Sequence, residues 1–461
     1  MLADAPGPRP AGPLDRFLRL FSDVRPGEGL TAVVLTFNIF LLLTAYYVLK
    51  PVREGLILGQ GSAELKSYMS AGMVGVLAIA VPLYGRLAAR MPRRRLINIV
   101  TAFFASCLVL FSVLGQLGVP LGMVFFVWIG VFNMMIVAQF WGFANDLYSK
   151  DEGERLFPIV GFGASLGAVL GAVIAGWLIA PLGLNQLMLV GAGLLVAQVP
   201  LTNYVDTRER ARSQTMAART PEPPKEPDLA PGKTHETPQS AGAFGMVFGT
   251  PYLLMIGIML LCLNWVNTTG EYILGSVIED VAREAITAGT AGGLSVEEFI
   301  GQFYSQFFFV VNIAGVLIQL FVVSRIIKYF GVRVGVMVLP CIALGAYNVL
   351  AFFPVLAAVR WAKTAENATD YSLNNTVRNM LFLPCTREQK YSAKQAIDSF
   401  FVRIGDVLSA VLVFVGTTYF ALGGSGFAIF NILIVSGWLI LAFFIGREYT
   451  QLTAIGATPG P

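Results

Sequence analysis

Apolar runs of about 20 residues, the length that crosses a hydrocarbon core of about 30 Å, alternate with short polar breaks along the whole chain. They predict twelve membrane helices, at roughly 29–50, 65–88, 96–116, 120–147, 156–180, 184–205, 250–277, 301–323, 333–354, 361–384, 396–421 and 425–446. The fourth, tenth and eleventh carry polar residues, and the tenth, Lys363 to Pro384, carries the most. Within it Glu366, Asp370, Asn374 and Arg378 recur every four residues, so they wind slowly down one side of a helix, with Asn367, Asn375 and Asn379 beside them. Ionisable groups at membrane depth are costly, so they face a wet cavity or a partner and mark a pathway.

The loops set the expected orientation. Basic residues follow the second helix (Arg86, Arg90, Arg93, Arg94, Arg95), the fourth (Lys150, Arg155), the sixth (Arg208, Arg210, Arg212), the eighth (Arg325, Lys328, Arg333) and the tenth (Arg387, Lys390, Lys394). The loops after helices three, five and eleven have no Lys or Arg, and the long odd loop, 278–300, is acidic. By the positive-inside rule both termini are cytoplasmic. Residues 206–243 are rich in Pro, Thr and charge without apolar periodicity, and read as a flexible cytoplasmic linker. The expected organisation is thus a tail (1–28), a six-helix bundle (29–205), the linker (206–243), a second six-helix bundle (244–446) and a short tail (447–461).

Composition narrows the class. The 461 residues have a mean hydropathy of +0.68 with 13% charged residues, which removes the chain from soluble globular proteins and makes the lipid bilayer its solvent. A net charge of +4, scattered over short loops, gives no nucleic-acid face. The single histidine, His235, lies in the linker, and Cys107, Cys262, Cys341 and Cys385 have no paired spacing, so neither a metal site nor a cofactor is expected. The N-terminus lacks the apolar core and cleavage site of a secretory signal, and Asp15 to Val24 has the pattern of a short amphipathic surface helix. No nucleophile, base and orienter set is visible, so the chain is not expected to be an enzyme.

The candidate chemistry is a set of polar residues inside apolar runs. At the end of helix one, Pro51 is expected to kink the chain and place Lys50, Arg53 and Glu54 around the bend; snorkelling to the headgroups is the alternative for these charges. Helix seven offers Asn264, Asn267 and Glu271 on one face, and helix eleven Asp398, Arg403 and Asp406. Some of these charges must neutralise one another, Arg403 with Asp370 or Asp406 and Arg378 with Glu366 or Asp370, because unpaired burial is expensive. The remaining guanidinium groups present fork-shaped donors suited to phosphate or carboxylate, so the expected partner is a small organic anion bound by Lys50, Arg53, Asn267, Glu271, Asp370, Asn374, Arg378, Arg403 and Asp406. Gly163, Gly167 and Gly171, spaced by four, are expected to let two helices pack closely. Asp146 is expected to cap its helix or contact the basic loop.

That basic loop, Gly85-Arg-Leu-Ala-Ala-Arg-Met-Pro-Arg-Arg-Arg95, is echoed by 324–334 at the same offset in the second half, which suggests an internal repeat. It resembles the signature loop of the major facilitator superfamily through Gly85, Arg90 and Arg93 to Arg95, with Ala89 and Pro92 in place of an aspartate and a glycine. This resemblance implies an all-α membrane protein of twelve helices in two bundles that rock around a central cavity. A narrower resemblance is carried by other blocks. The segments Val48 to Leu58, Phe140 to Asn145, Glu152 to Ala164, Tyr371 to Pro384 and Lys394 to Asp398 are similar, in order, to blocks of the ATP/ADP translocases of plastids and obligate intracellular bacteria. It implies nucleotide exchange by alternating access, in an inner membrane if the chain is bacterial, and puts Arg53 where that family carries a lysine. The chain departs from the family at Asp406, where a lysine is usual, at Asn375 and Thr376, which replace an aspartate and a proline, and between Phe125 and Phe140, where the family's glutamate has no acidic counterpart. Two other readings stay open: proton-coupled transport through Glu271, Asp370 or Asp406, and a membrane scaffold or sensor whose linker docks a partner.

Overall fold

In the computed structural model the described residues are 12–19, 23–148, 150–217, 243–386, 389 and 393–457. Every regular element among them is helical. Nine helical stretches among the described residues are long and apolar enough to cross a bilayer, and the chain divides by compactness into two units. The first comprises 1–52, 78–120 and 128–225, and the second 53–77, 121–127 and 226–461.

The first unit contains α1 (Pro13–Leu18), the first part of α2 (Gly29–Gln60), the second part of α3 (Ala63–Arg90), α4 (Arg93–Gln116), most of α5 (Gly122–Leu147) and α6 (Lys150–Ala217). At 1.5 Å per residue the 68 residues of α6 would run to about 100 Å, three times the hydrocarbon thickness. The run is broken at Gly183, whose φ of 73° and ψ of 168° lie in a region open essentially to glycine alone. Contacts along α2 show that the chain reverses there. Gly163, Gly167 and Gly171 lie against Thr36, Phe40 and Thr44, in rising order, so a Cβ at any of them would strike the α2 backbone. Beyond the break the order inverts: Gly191 meets Leu49, Asn38 donates to the Gln198 carbonyl and Thr202 hydroxyl, and Thr31 donates to Glu209. The two halves of α6 therefore lie on α2 in opposite senses, and the glycine stripe packs helices as its spacing predicts.

Residues 206–217, expected as the start of a flexible linker, continue α6 instead. Asp206 pairs with Arg210 one turn on, and Glu209 is tied to Thr31, so local and tertiary contacts propagate the helix past its apolar part. The rest of the expected linker, 218–242 with His235, lies outside the described residues, as do 1–11, Arg387, Lys390 and 458–461. At the expected amphipathic segment a helix spans Pro13–Leu18, and 20–22 of that segment lie outside the described residues. Asp15 within it accepts from the backbone N–H groups of Gly12, Gly27 and Gly29. Desolvation pulls its carboxyl upward, but these donors and Arg19 outweigh it and hold the group below the usual carboxylate range. In the arginine-rich loop, Arg93 pairs with Asp146 and Arg94 donates to Asn203, so the loop fastens the ends of α4, α5 and α6.

The second unit holds the end of α2, the start of α3, and α7 (Ala243–Gly249), α8 (Pro251–Thr287), α9 (Val296–Ile318), α10 (Ser324–Phe352), α11 (Leu356–Thr369), α12 (Asn375–Met380), α13 (Lys394–Ala396), α14 (Val402–Phe420) and α15 (Gly424–Ala457). A capping box, Ser295 with Glu298, starts α9. The α9–α10 run breaks at Gly331, with φ 74° and ψ 177°. Along α11 and α12 the order of contacts again shows a reversal: Phe303 and Gly315 of α9 meet Arg360 and Ala368, whereas Gly335 and Tyr347 of α10 meet Val377 and Glu366. Pro51 does not interrupt α2, which stays helical to Gln60 and so carries Arg53 and Glu54 on a continuous helix. The Gln60 side chain then accepts from the N–H groups of Leu121 and Gly122, satisfying donors at the start of α5.

Candidate functional site

The polar tenth segment is not one uniform helix. A π-helical turn, Asp370–Asn374, separates α11 from α12 and takes an extra residue into the turn, rotating α12 relative to α11. The four-residue stripe from Glu366 to Arg378 is broken by this turn. Glu366 faces Lys363 and Tyr347, Asp370 accepts from Asn374 at 2.7 Å, and Arg378 donates to Asn375 at 3.3 Å. Of the two partners expected for Arg378, Glu366 is taken by Lys363, which lies three residues earlier on the unbroken α11, where i and i+3 meet, while Asp370 stays within electrostatic reach of Arg378.

Within the second unit, side chains from α2, α3, α8 and α11 form a buried ionic network. Glu54, 1% exposed, is paired with its neighbour Arg53 and with Lys66, whose Nζ is 2.7 Å away. Lys66 Nζ is also 3.6 Å from Glu271 Oε2, and Lys363 Nζ is 3.8 Å from Glu271 Oε1. Lys363, wholly buried, donates to the Asn267 side chain at 2.8 Å and to Glu366 at 3.0 Å. Asn367 donates to Glu271 at 3.2 Å, and the Tyr347 hydroxyl sits 3.1 Å from Glu366. Arg53 and Lys66 lie over the rings of Phe126 and Tyr304, which shield them from solvent while favouring positive charge. Three cations, Arg53, Lys66 and Lys363, thus face three carboxylates, Glu54, Glu271 and Glu366, and the network is neutral by count. Glu271, 23% exposed, joins its two halves.

A second polar knot lies between α8 and α14. Asp406 accepts from Asn264 at 2.7 Å, Thr268 at 2.8 Å and Arg403 at 2.9 Å. Asn264 also donates to the Val402 carbonyl, and Gly405 lies against the α8 backbone. These contacts satisfy Asp406 within the helix pair.

Of the residues expected to form the site, Arg53, Asn267 and Glu271 come together in the network, Arg403 and Asp406 in the knot, and Asp370 with Asn374 in the π-helical turn. Arg378, on α12, lies within electrostatic reach of Asp370 but outside the network, and Lys50, buried with its Nζ 5.2 Å from the Tyr47 ring, belongs to the first unit. Sequence reasoning left Lys66 and Lys363 out of the site. Each is a lone lysine at the edge of an apolar run, the pattern of an interfacial anchor. The available signal was Lys363 three and four residues before Glu366 and Asn367.

A chain whose described residues are helical in every regular element, with nine bilayer-length stretches among them and a buried ionic network, is a multi-pass integral membrane protein. The family model of the Major Facilitator Superfamily matches residues 30–359, and the chain belongs to that superfamily of transporters rather than to the enzymes. ADP,ATP carrier protein 1 of Chlamydia pneumoniae is 22% identical over 369 residues, covering 70% of this chain and 66% of that protein. The same protein of Chlamydia trachomatis is 22% identical, covering 70% and 64%, so the chain spans just under two thirds of these relatives. ADP,ATP carrier protein 2 of Chlamydia pneumoniae is 20% identical over an alignment covering 96% of this chain and 93% of its own length. The resemblance to ATP/ADP translocases read from the motifs is matched by these carriers, at the distance of a divergent member. Solved structures share the fold. The nucleoside transporter NupG gives a TM-score of 0.60 at 14% identity, covering 92% of this chain and 99% of that one. A bacterial homologue of the lysosomal transporter Spinster gives 0.57 at 14%, covering 93% and 98%.

Proposed function

We propose that this chain is a secondary transporter that exchanges a nucleotide, or a phosphorylated metabolite of like chemistry, by alternating access, in a bacterial inner membrane. The observation that carries the reading is the buried network on α2, α3, α8 and α11, whose two lysines and arginine are costly at membrane depth unless they serve a pathway. The likeness to ADP,ATP carriers supports a nucleotide as substrate. Twelve spans result when the reversals at Gly183 and Gly331 divide two of the nine stretches and the polar segment 356–380 is added. With basic loops on the even side, both termini are cytoplasmic. Arg53, Asn267 and Glu271 then belong to the substrate pathway, joined by Lys66, Lys363 and Glu366, while Asp406 holds α8 to α14. The roles first expected for Lys50, Asp370, Asn374, Arg378 and Arg403 carry less geometric support.

Purified protein in liposomes tests this. Labelled ATP should enter only vesicles preloaded with ADP or ATP, and a protonophore should leave the rate unchanged. Absence of uptake for every nucleotide refutes the nucleotide reading, and collapse with the protonophore refutes strict exchange in favour of proton coupling.

A further inference from the structure

We infer that the Glu271 carboxylate is an internal stand-in for the substrate's phosphate, occupying a clamp formed by Lys66 and Lys363 until substrate displaces it. This rests on the nucleotide reading and names the group that docks in that site. Three observations carry it. Glu271 is the loosely held member of the network. Its contacts of 3.6 and 3.8 Å to the two ammonium groups exceed the 2.7–3.0 Å at which the same lysines hold Glu54, Asn267 and Glu366, and charge-assisted bonds shorten to about 2.7–2.9 Å when well made. It is also the most exposed of the three carboxylates, at 23% against 1% for Glu54 and 5% for Glu366. Finally, Tyr304 is completely buried beneath Lys66, and its hydroxyl lacks a hydrogen-bond partner among the described residues although Glu54, Glu271 and Arg53 lie within electrostatic reach.

A terminal phosphate fits this arrangement better than a carboxylate does. Two of its oxygens can take the places of the two Glu271 oxygens between the lysines, and a third remains to accept from Tyr304. Because the network is neutral by count, an anion that merely joined it would add uncompensated charge. An anion that replaces Glu271 inherits two ammonium groups already stripped of water. Binding is therefore weakened by the fraction of time Glu271 fills the clamp. That competition suits a carrier, which must release its cargo.

The test is binding of ADP, inorganic pyrophosphate and adenosine to purified protein in detergent, by calorimetry, with thermal melts as the control for folding. If the clamp is open about a tenth of the time, Glu271→Gln should bind ADP and pyrophosphate about tenfold more tightly and leave adenosine unchanged. In liposomes the same variant should exchange ATP more slowly at saturation, since release becomes limiting. Lys66→Gln and Lys363→Gln should each weaken both ligands at least tenfold, Lys363→Arg should retain most binding and guard against a folding defect, and Tyr304→Phe should weaken both severalfold without lowering the melt. Weaker ADP binding in Glu271→Gln than in the wild type overturns the stand-in role while leaving the nucleotide reading intact. Tight pyrophosphate binding sharpened by Glu271→Gln, with no response to ADP, upholds the clamp and refutes the nucleotide reading. If neither phosphate compound binds the wild type or Glu271→Gln, the clamp is refuted.

Discussion

Replacing Lys363 by methionine removes the network's most buried cation while keeping an unbranched side chain of similar length. Lys363 is fully enclosed, 3.0 Å from Glu366 and 3.8 Å from Glu271. At an effective dielectric of about 20 these separations correspond to roughly 5 and 4 kcal/mol of gross attraction. Most of that offsets the desolvation of the three groups, but the variant strands Glu366, almost wholly buried, with the Tyr347 hydroxyl as its remaining close donor. Removing one partner of a buried pair costs about 3–5 kcal/mol. The cost should be largely a penalty on the orphaned carboxylate, so Lys363→Met with Glu366→Gln should recover half or more of it, glutamine still accepting from Tyr347. The assay is denaturant unfolding in detergent followed by tryptophan fluorescence, with both single variants and the double. Coupling of at least about 1.5 kcal/mol is expected, larger by whatever Glu366→Gln costs alone; single effects that add within about 0.5 kcal/mol refute the idea that the two charges neutralise each other.

Three further outcomes are expected from the geometry. Gly331→Ala should destabilise by about 1–3 kcal/mol through backbone strain alone, because φ is 74° and nothing lies within 4 Å of the added methyl; an unchanged melt argues against the reversal at that residue. Asp406→Ala strands donors from Asn264, Thr268 and Arg403 and should cost about 1.5–3 kcal/mol in the same unfolding assay, with ADP affinity unchanged if Asp406 only holds α8 to α14. The folded Asp15 carboxyl titrates below its unfolded value of about 3.9, so its contribution is complete above that pH and fades as pH falls toward the folded value. Hydrogen exchange at the Gly27 and Gly29 amides should accelerate on acidification relative to neighbouring helical amides, and Asp15→Asn should remove that dependence.

The helical membrane character of the chain was legible because a lipid-embedded backbone leaves only length and hydropathy to be read. The glycine stripe at 163, 167 and 171 was legible for a similar reason: a four-residue spacing puts small residues on one face whatever the partner. The network was legible only in part. Glu271 and Arg53 stood out as charges deep in apolar runs, whereas Lys66 and Lys363 sit at run edges, where a solvated lysine and a buried one read alike. The stripe from Glu366 to Arg378 misled because an α-helical period was extended through Asp370 to Asn374, and a local change to a π-helical turn leaves no mark in residue type. Asp206 to Ala217 read as linker because its residues are polar, yet helix propagation needs no apolar face where i, i+4 pairs and one tertiary contact suffice.

The reversal at Gly183 bears on biogenesis. A chain that turns on so few residues gives the insertion machinery almost no hydrophilic loop to pull across, so the helices on either side must enter lipid as paired hairpins. In the proposed topology an extra domain or epitope tag spliced at Gly183 would have to be hauled through together with both flanking helices, whereas one at Gly331, in a basic even-numbered loop, would stay on the cytoplasmic side. The expected linker beyond the end of α6, by contrast, could be lengthened without asking any helix to cross differently.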